Sequence, residues 1–304
     1  MVDESQYPYS PYKITEGKSM FRIVVLAVFA LFAVSIAQAQ GVDGRLKKIA
    51  DKKTITIAYR TDATPFSFVD ENKQVVGFTI DLCKRVVNSI ERQLKVTGLQ
   101  VKWLPVTVQT RFAAVSTGKA DMECGSSTVT LSRLKSVDFS SYTFVATTGL
   151  MVKGASGLRS LSDMSGKKIA VISGTTNENA INVQLKRRQL SATVVPFKAP
   201  DEALAALEDD KVDAFASDKL LLAGTSGKAR DAKSLMILPD DLSFEPYGIT
   251  LPRGEPALRL AVNTGLAQIY GSGEVGEIFG RWFGAFGRPP ALIEAVYIFG
   301  AIPE

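Results

Sequence analysis

The chain has no histidine and only two cysteines among its 304 residues. The missing imidazole excludes Ser-His-Asp and Cys-His nucleophilic sites and any zinc site built on histidine. Two cysteines cannot alone complete a structural zinc or iron–sulfur site. Catalysis would have to rest on carboxylates, lysine or tyrosine, and no cofactor or metal is expected. Long basic blocks are also missing: Lys186-Arg187-Arg188 is the longest, and the net charge is only +5. A nucleic-acid surface is therefore not indicated. G-x-x-x-x-G-K-[ST] does not occur, and the G-x-G-x-x-G at Gly271 to Gly276 joins two helical patterns instead of following a strand, so phosphate loops of those kinds are not indicated. What remains, 46% apolar and 22% charged residues, is the composition of a globular protein. The length allows one large domain or two of roughly 100–150 residues.

One apolar run stands out. Ile23 to Ala37 spans 15 residues, broken only by Ser35, with Lys18 and Arg22 before it and Ala37-Gln38-Ala39 at its end. A membrane-spanning helix needs about 20 residues, so the segment reads as a secretory signal with an A-x-A cleavage site. Residues 1–39 are then a signal peptide, and Met20 would be a better start than Met1. Export would place Cys83 and Cys124 where disulfides can form, but sequence does not supply the distance between them.

From Gln40 onward, short β-branched runs alternate with helical periodicity. Thr54 to Ala58 and Val101 to Leu104 read as strands, and Ala120 to Glu123 as a short one. Between them, Leu82, Cys83, Val86, Val87, Ile90 and Leu94 recur at helical spacing over about 78–95. Arg111 to Ser116 reads as a further helix. The pattern restarts with strands at Lys168–Ile172, Thr193–Pro196 and Val212–Ala216, separated by helices through Leu190 and over Pro200–Leu207. A strand at Tyr247–Leu251 and two helices, about 255–270 and 273–283, follow. Phe279, Trp282, Phe283 and Phe286 mark the last helix as one that docks on the first unit. This alternation predicts two α/β lobes: residues 40–146 plus 247–304, and residues 147–246. The chain crosses twice between them, near 144–150 and 244–250, which suggests hinge closure over a cleft.

Two segments place small polar residues between a strand and a helix start: Cys124-Gly125-Ser126-Ser127-Thr128 and Ser173-Gly174-Thr175-Thr176. Backbone N–H groups there could bind a carboxylate or phosphate. The hydroxyls could equally be plain helix caps.

Several ordered motifs now point to a family. They are Thr64-Pro65-Phe66-Ser67-Phe68, Val76-Gly77-Phe78-Thr79-Ile80-Asp81-Leu82, Gln109-Thr110-Arg111-Phe112 and Asp121-Met122-Glu123-Cys124-Gly125-Ser126. Ser132-Arg133, Val137-Asp138-Phe139-Ser140, Asp218 ahead of Leu221-Leu222-Ala223-Gly224, and Arg281-Trp282-Phe283 continue the series. Over Gly44 to Phe286 the chain resembles the periplasmic amino-acid-binding proteins of ABC importers, solute-binding family 3, in their glutamate/aspartate-binding branch. The resemblance implies a two-lobed periplasmic-binding-protein fold of type II, with a two-stranded hinge and a ligand cleft between the lobes. It implies a periplasmic, monomeric, non-enzymatic protein that delivers an amino acid to permease subunits.

The resemblance also assigns roles by position. Arg133 matches the arginine for the ligand α-carboxylate, with hydroxyl or amide donors from Thr128 and Thr176 and with Thr175 beside them. Asp218 matches the acid that takes the ammonium, helped by Ser126. Arg60 and Arg111 match arginines turned toward a side-chain carboxylate. Charges in a desolvated cleft are costly unless an anion pairs with them, so two arginines favour an acidic ligand. Val108 and Pro200 depart from the branch, which usually has a hydroxyl and a histidine there, and this keeps glutamine or asparagine open. The same fold also carries cyclohexadienyl-type dehydratases, for which Glu123 and Asp218 are the available cleft carboxylates.

Overall fold

The computed structural model describes residues 44–303. The apolar segment 23–37, its cleavage pattern, the alternative start at Met20 and the side chain of Phe286 lie outside the described residues.

The first lobe opens with α1 (Gly44–Lys52), β1 (Thr54–Arg60) and a small antiparallel sheet of β2 (Asp62–Ala63), β3 (Ser67–Val69) and β4 (Val75–Val76). Helix α2 (Phe78–Leu94) follows, and its buried Leu82, Cys83, Val86, Val87 and Ile90 form the stripe that the spacing predicts. Lys95, in the left-handed region at φ 53°, ends it. Strand β5 (Gln100–Val106), α3 (Arg111–Ser116) and β6 (Met122–Cys124) complete a parallel β5-β1-β6 unit.

Strand β7 (Val137–Lys153) then leaves this lobe. Its first part, Val137 to Thr147, pairs with the later strand β12 (Phe244–Pro252); its last residues pair in the second lobe. The changeover falls at Thr147/Thr148, so one continuous strand carries the chain across. The second lobe holds β8 (Lys168–Ile172), α4 (Thr176–Arg187), β9 (Thr193–Phe197), α5 (Pro200–Glu208), β10 (Ala214–Asp218), α6 (Lys219–Ser226) and β11 (Leu235–Ile237). β9, β8 and β10 are parallel, and β10 and β11 lie antiparallel to β7. Strand β12 returns the chain, with its register slipping around Gly248, where an added Cβ would press on Val129. Helices α7 (Pro256–Gly271), α8 (Glu274–Phe283) and α9 (Ala291–Gly300) close the chain.

Those last helices join the core of the first lobe. Phe279 and Phe283 pack with Phe66, Phe78, Phe144 and Tyr247, and the rings of Phe66 and Phe144 lie 5.0 Å apart. Burying each such ring contributes roughly 1.5–3 kcal/mol. Asp81, in the first turn of α2, accepts from Arg281 Nη1 at 2.8 Å and Trp282 Nε1 at 2.9 Å, which fixes α8 against α2. Ile293 and Tyr297 of α9 are buried in the same core. In the second lobe separate apolar clusters cover the sheet, one around Ile169, Val171 and Ile181 and another around Ala170, Leu204 and Phe215.

Cys83 of α2 and Cys124 at the end of β6 form a disulfide that closes a 41-residue separation. It anchors the residue two places before Ser126. Reduction should lower stability by about 2–4 kcal/mol, read by urea unfolding with and without reductant. An unchanged midpoint would show that the bond does not constrain the chain.

Candidate functional site

The carboxyl ends of β1, β6, β8 and β10 meet at one narrow cavity, where α/β sheets bind their ligands. Arg60 is the last residue of β1, Ser126 and Thr128 follow β6, Thr175 and Thr176 follow β8, and Asp218 ends β10; all of them line it. Arg111, the first residue of α3, lines it too, as do Val108, Pro200, Leu221 and Asp62. Seven of the eight residues singled out from sequence therefore share one cavity.

The exception is Arg133. It does not line the cavity; its Nη1 donates to the Thr128 carbonyl at 2.7 Å, and its guanidinium lies 4.8 Å from the Phe112 ring centre. It is half-buried, and burial lowers its pKa against the opposing charge of Glu245. Its place is one step behind Thr128, so any contact to a ligand would be made past that residue.

Two cationic groups reach the cavity directly. Arg60 is 3% exposed and donates from Nε to Asp62 Oδ1 at 2.7 Å. Arg111 is 4% exposed, and its buried Nε has no hydrogen-bond partner among the described residues. Burial and then the neighbouring Arg60 push the Arg111 pKa down to about 9, with Glu123 opposing the shift. A guanidinium in that setting is a strong receptor for an anion.

Asp218 faces them across the cavity. It occupies the N-cap position of α6 but makes no capping hydrogen bond. Its oxygens accept instead from Tyr247 Oη at 2.6 Å and from Asn177 Nδ2 at 3.0 Å. Burial, and then the charge of Glu245, raise its pKa to about 7. In the ionised form both oxygens are thus acceptors, the arrangement that suits a cationic ligand group.

The threonines divide their tasks differently from a simple ring of hydroxyl donors. Thr175 caps α4: its Oγ1 accepts from Glu178 N at 3.2 Å and donates to the Ile172 carbonyl at 2.7 Å, so its hydroxyl is spent on the fold. Thr128 Oγ1 donates to Glu245 Oε2 at 2.9 Å. Thr176 Oγ1 lies 3.2 Å from Thr128 Oγ1. The Thr128 proton thus runs toward the hinge and not into the cavity. Thr128 sits opposite Tyr247 in an isolated antiparallel bridge flanked by the Val129–Pro246 and Gly248–Ser127 hydrogen bonds. Its own N–H and C=O consequently point away from β12, which leaves the Thr128 amide as its donor.

The two lobes touch across this cavity. Gln109 Nε2 donates to the carbonyls of Ser173 at 3.4 Å and Lys198 at 3.2 Å, and Val108 packs into the second lobe's apolar cluster. Glu123, the other sequence-derived carboxylate, is buried in β6 with Oε2 accepting from Ser127 and Thr250, and it does not line the cavity. Asp62, Asn177, Glu245 and Tyr247 escape a reading of the sequence. The only signal for the last two is an acid and a tyrosine inside the apolar crossing strand β12.

A polar cavity closed between two hinged lobes, with buried arginines facing an acid, defines a solute-binding protein. The chain belongs to the bacterial extracellular solute-binding proteins, family 3, whose model matches residues 55–285. It is 32% identical over 258 residues to an L-glutamate/L-aspartate-binding protein of Pseudomonas aeruginosa, covering 84% of this chain and 85% of that one. It is 31% identical over 261 residues to a glutamate/aspartate import solute-binding protein of Escherichia coli, covering 86% of each. Among solved structures it is similar to an ancestral amino-acid-binding protein described as a precursor of cyclohexadienyl dehydratase. That match has a TM-score of 0.69 and 29% identity, and covers 79% of this chain and 100% of the other.

Proposed function

We propose that this protein captures glutamate or aspartate outside the cytoplasm by closing its lobes, and passes it to the permease subunits of an ABC importer. The observation that carries this reading is the pair of buried arginines, Arg60 and Arg111, on the cavity that also holds Asp218. An acidic amino acid offers two carboxylates and one ammonium, and the site offers arginines for the first two and Asp218 for the third. Arg111 and Arg60 take the side-chain carboxylate. Arg133, reached past Thr128, and the amides of Thr128 and Thr176 take the α-carboxylate. Asp218 takes the ammonium, with Ser126 beside it. Val108 and Pro200 line the same cavity without offering a side-chain hydrogen bond, so the arginines supply the charge recognition. The protein works as a monomer, without catalysis, in the periplasm after cleavage near Ala39.

Calorimetric titration of the chain from Gln40, unfolded and refolded to strip ligand, tests this. Glutamate or aspartate should bind at micromolar concentration or tighter, and a neutral aliphatic amino acid should not. Preference for glutamine would keep the transport role and overturn the acidic specificity. Silence from all would sink the amino-acid reading.

A further inference from the structure

Two arginines of the site share one aromatic ring. The guanidinium carbon of Arg111 lies 4.8 Å from the centre of the Phe112 ring, and that of Arg133 lies 4.8 Å from the same centre. Both distances fall well inside the range at which a ring quadrupole attracts a cation. The ring is itself anchored: Phe112 packs edge-on against Phe139, with centroids 6.4 Å apart at 73°, in an apolar cluster with Val115 and Val137. Both cations are desolvated, and Arg111 Nε has no hydrogen-bond partner among the described residues.

We propose that Phe112 is a positioning residue of the binding site, whose ring holds and spaces the two arginine forks that read the ligand's two carboxylates. The chemistry explains why a ring serves here better than an acid. A carboxylate hydrogen-bonded to either guanidinium would occupy its donors and compete with the ligand; Glu123, whose charge acts on both, is bonded to Ser127 and Thr250 instead. An aromatic face attracts the charge without consuming an N–H group, because the five donors lie in the guanidinium plane. Arg111 keeps its fork for the cavity, and Arg133 spends one donor on the Thr128 carbonyl and keeps the others. The ring also lies between two recognition tasks. Through Arg133 it acts on any amino acid, and through Arg111 it acts only on one with an anionic side chain. The proposal rests on the acidic-amino-acid reading, and its test separates the two.

Phe112→Leu keeps an apolar side chain and removes the quadrupole; Phe112→Tyr keeps both. Titrations of glutamate and glutamine against each variant, on stripped protein, give the answer. For Phe112→Leu we expect glutamine affinity to fall about 5-fold and glutamate affinity about 25-fold, so that the glutamate preference narrows about 5-fold. Phe112→Tyr should restore both. Equal losses for the two ligands that Tyr does not restore would reduce Phe112 to packing and overturn the proposal, as would affinities within twofold of the parent. A ligand-independent measurement covers a Leu variant that fails to fold and a parent that prefers another ligand. In the unliganded parent, the guanidinium signals of Arg111 and Arg133 should carry ring-current shifts in NMR spectra. Their absence would overturn the proposal whatever ligand is bound, whereas ring-shifted signals in a parent that ignores glutamate would overturn only the functional reading.

Discussion

Arg111→Met should weaken glutamate binding by about 3–5 kcal/mol, or about 150–5,000-fold, while glutamine binding changes little. The charge is buried, and the anionic side chain is the partner that offsets its desolvation. Methionine fills similar space without charge, so the same substitution should stabilise the unliganded protein by on the order of 3 kcal/mol. The pH dependence carries the same information. Burial holds the Arg111 pKa down to about 9 in the folded protein, below its ordinary value in the unfolded chain. Above pH 9 the unfolded state therefore binds more protons, and parent stability should gain from this group as pH rises. Below pH 9 the charge destabilises the fold in full. Arg111→Met lacks this contribution. Urea unfolding at pH 7 and pH 10 reads the stability, and calorimetry reads the affinity. Equal losses for glutamate and glutamine would remove Arg111 from side-chain recognition.

Asp218→Asn should cost about 2–5 kcal/mol of affinity for any amino acid, or roughly 30–5,000-fold. It removes the one cavity acid whose oxygens are both acceptors in the ionised form and leaves the ammonium unpaired. The parent should also bind more weakly in acid. The Asp218 carboxyl of the ligand-free protein sits at about 7, and only its ionised form attracts an ammonium. Affinity should fall about tenfold per pH unit below 7, or about 100-fold by pH 5. Stability moves the other way. Between the ordinary value of 3.8 and about 7 the folded protein binds the extra proton, so the unliganded parent should lose stability as pH rises through that window. In Asp218→Asn both trends should flatten. A profile for the variant that keeps the parent's slope would assign the titration to another group.

Much of the fold and part of the site are legible in the amino-acid sequence. The stripe Leu82, Cys83, Val86, Val87 and Ile90 announces α2, because a helix must bury one face and its period is set within a few turns. The two rounds of alternating strand and helix announce two lobes, and the paired crossings announce a hinge. The family resemblance marks Arg60, Arg111, Ser126, Thr128, Thr176 and Asp218 as site residues, and all of them line the cavity.

Other features could be decided only by the folded chain. Tyr247 and Asn177 meet Asp218 across separations of 29 and 41 residues, and Glu245 meets Thr128 across 117. No local pattern encodes such meetings, because they depend on how β7 hands its partners from β12 to β10. Thr175 and Thr176 look alike in sequence, yet one spends its hydroxyl on a cap and the other on the opposite lobe. Arg133 carries the motif but stands behind Thr128, and the ring that ties it to Arg111 belongs to the neighbouring Phe112. Periodicity and residue chemistry act over a single turn or strand, so they suffice to say which residues face inward. Burial and hydrogen bonding are set by distances in space, so the partner of each inward polar group, its charge state and the direction of its proton had to wait for the folded chain.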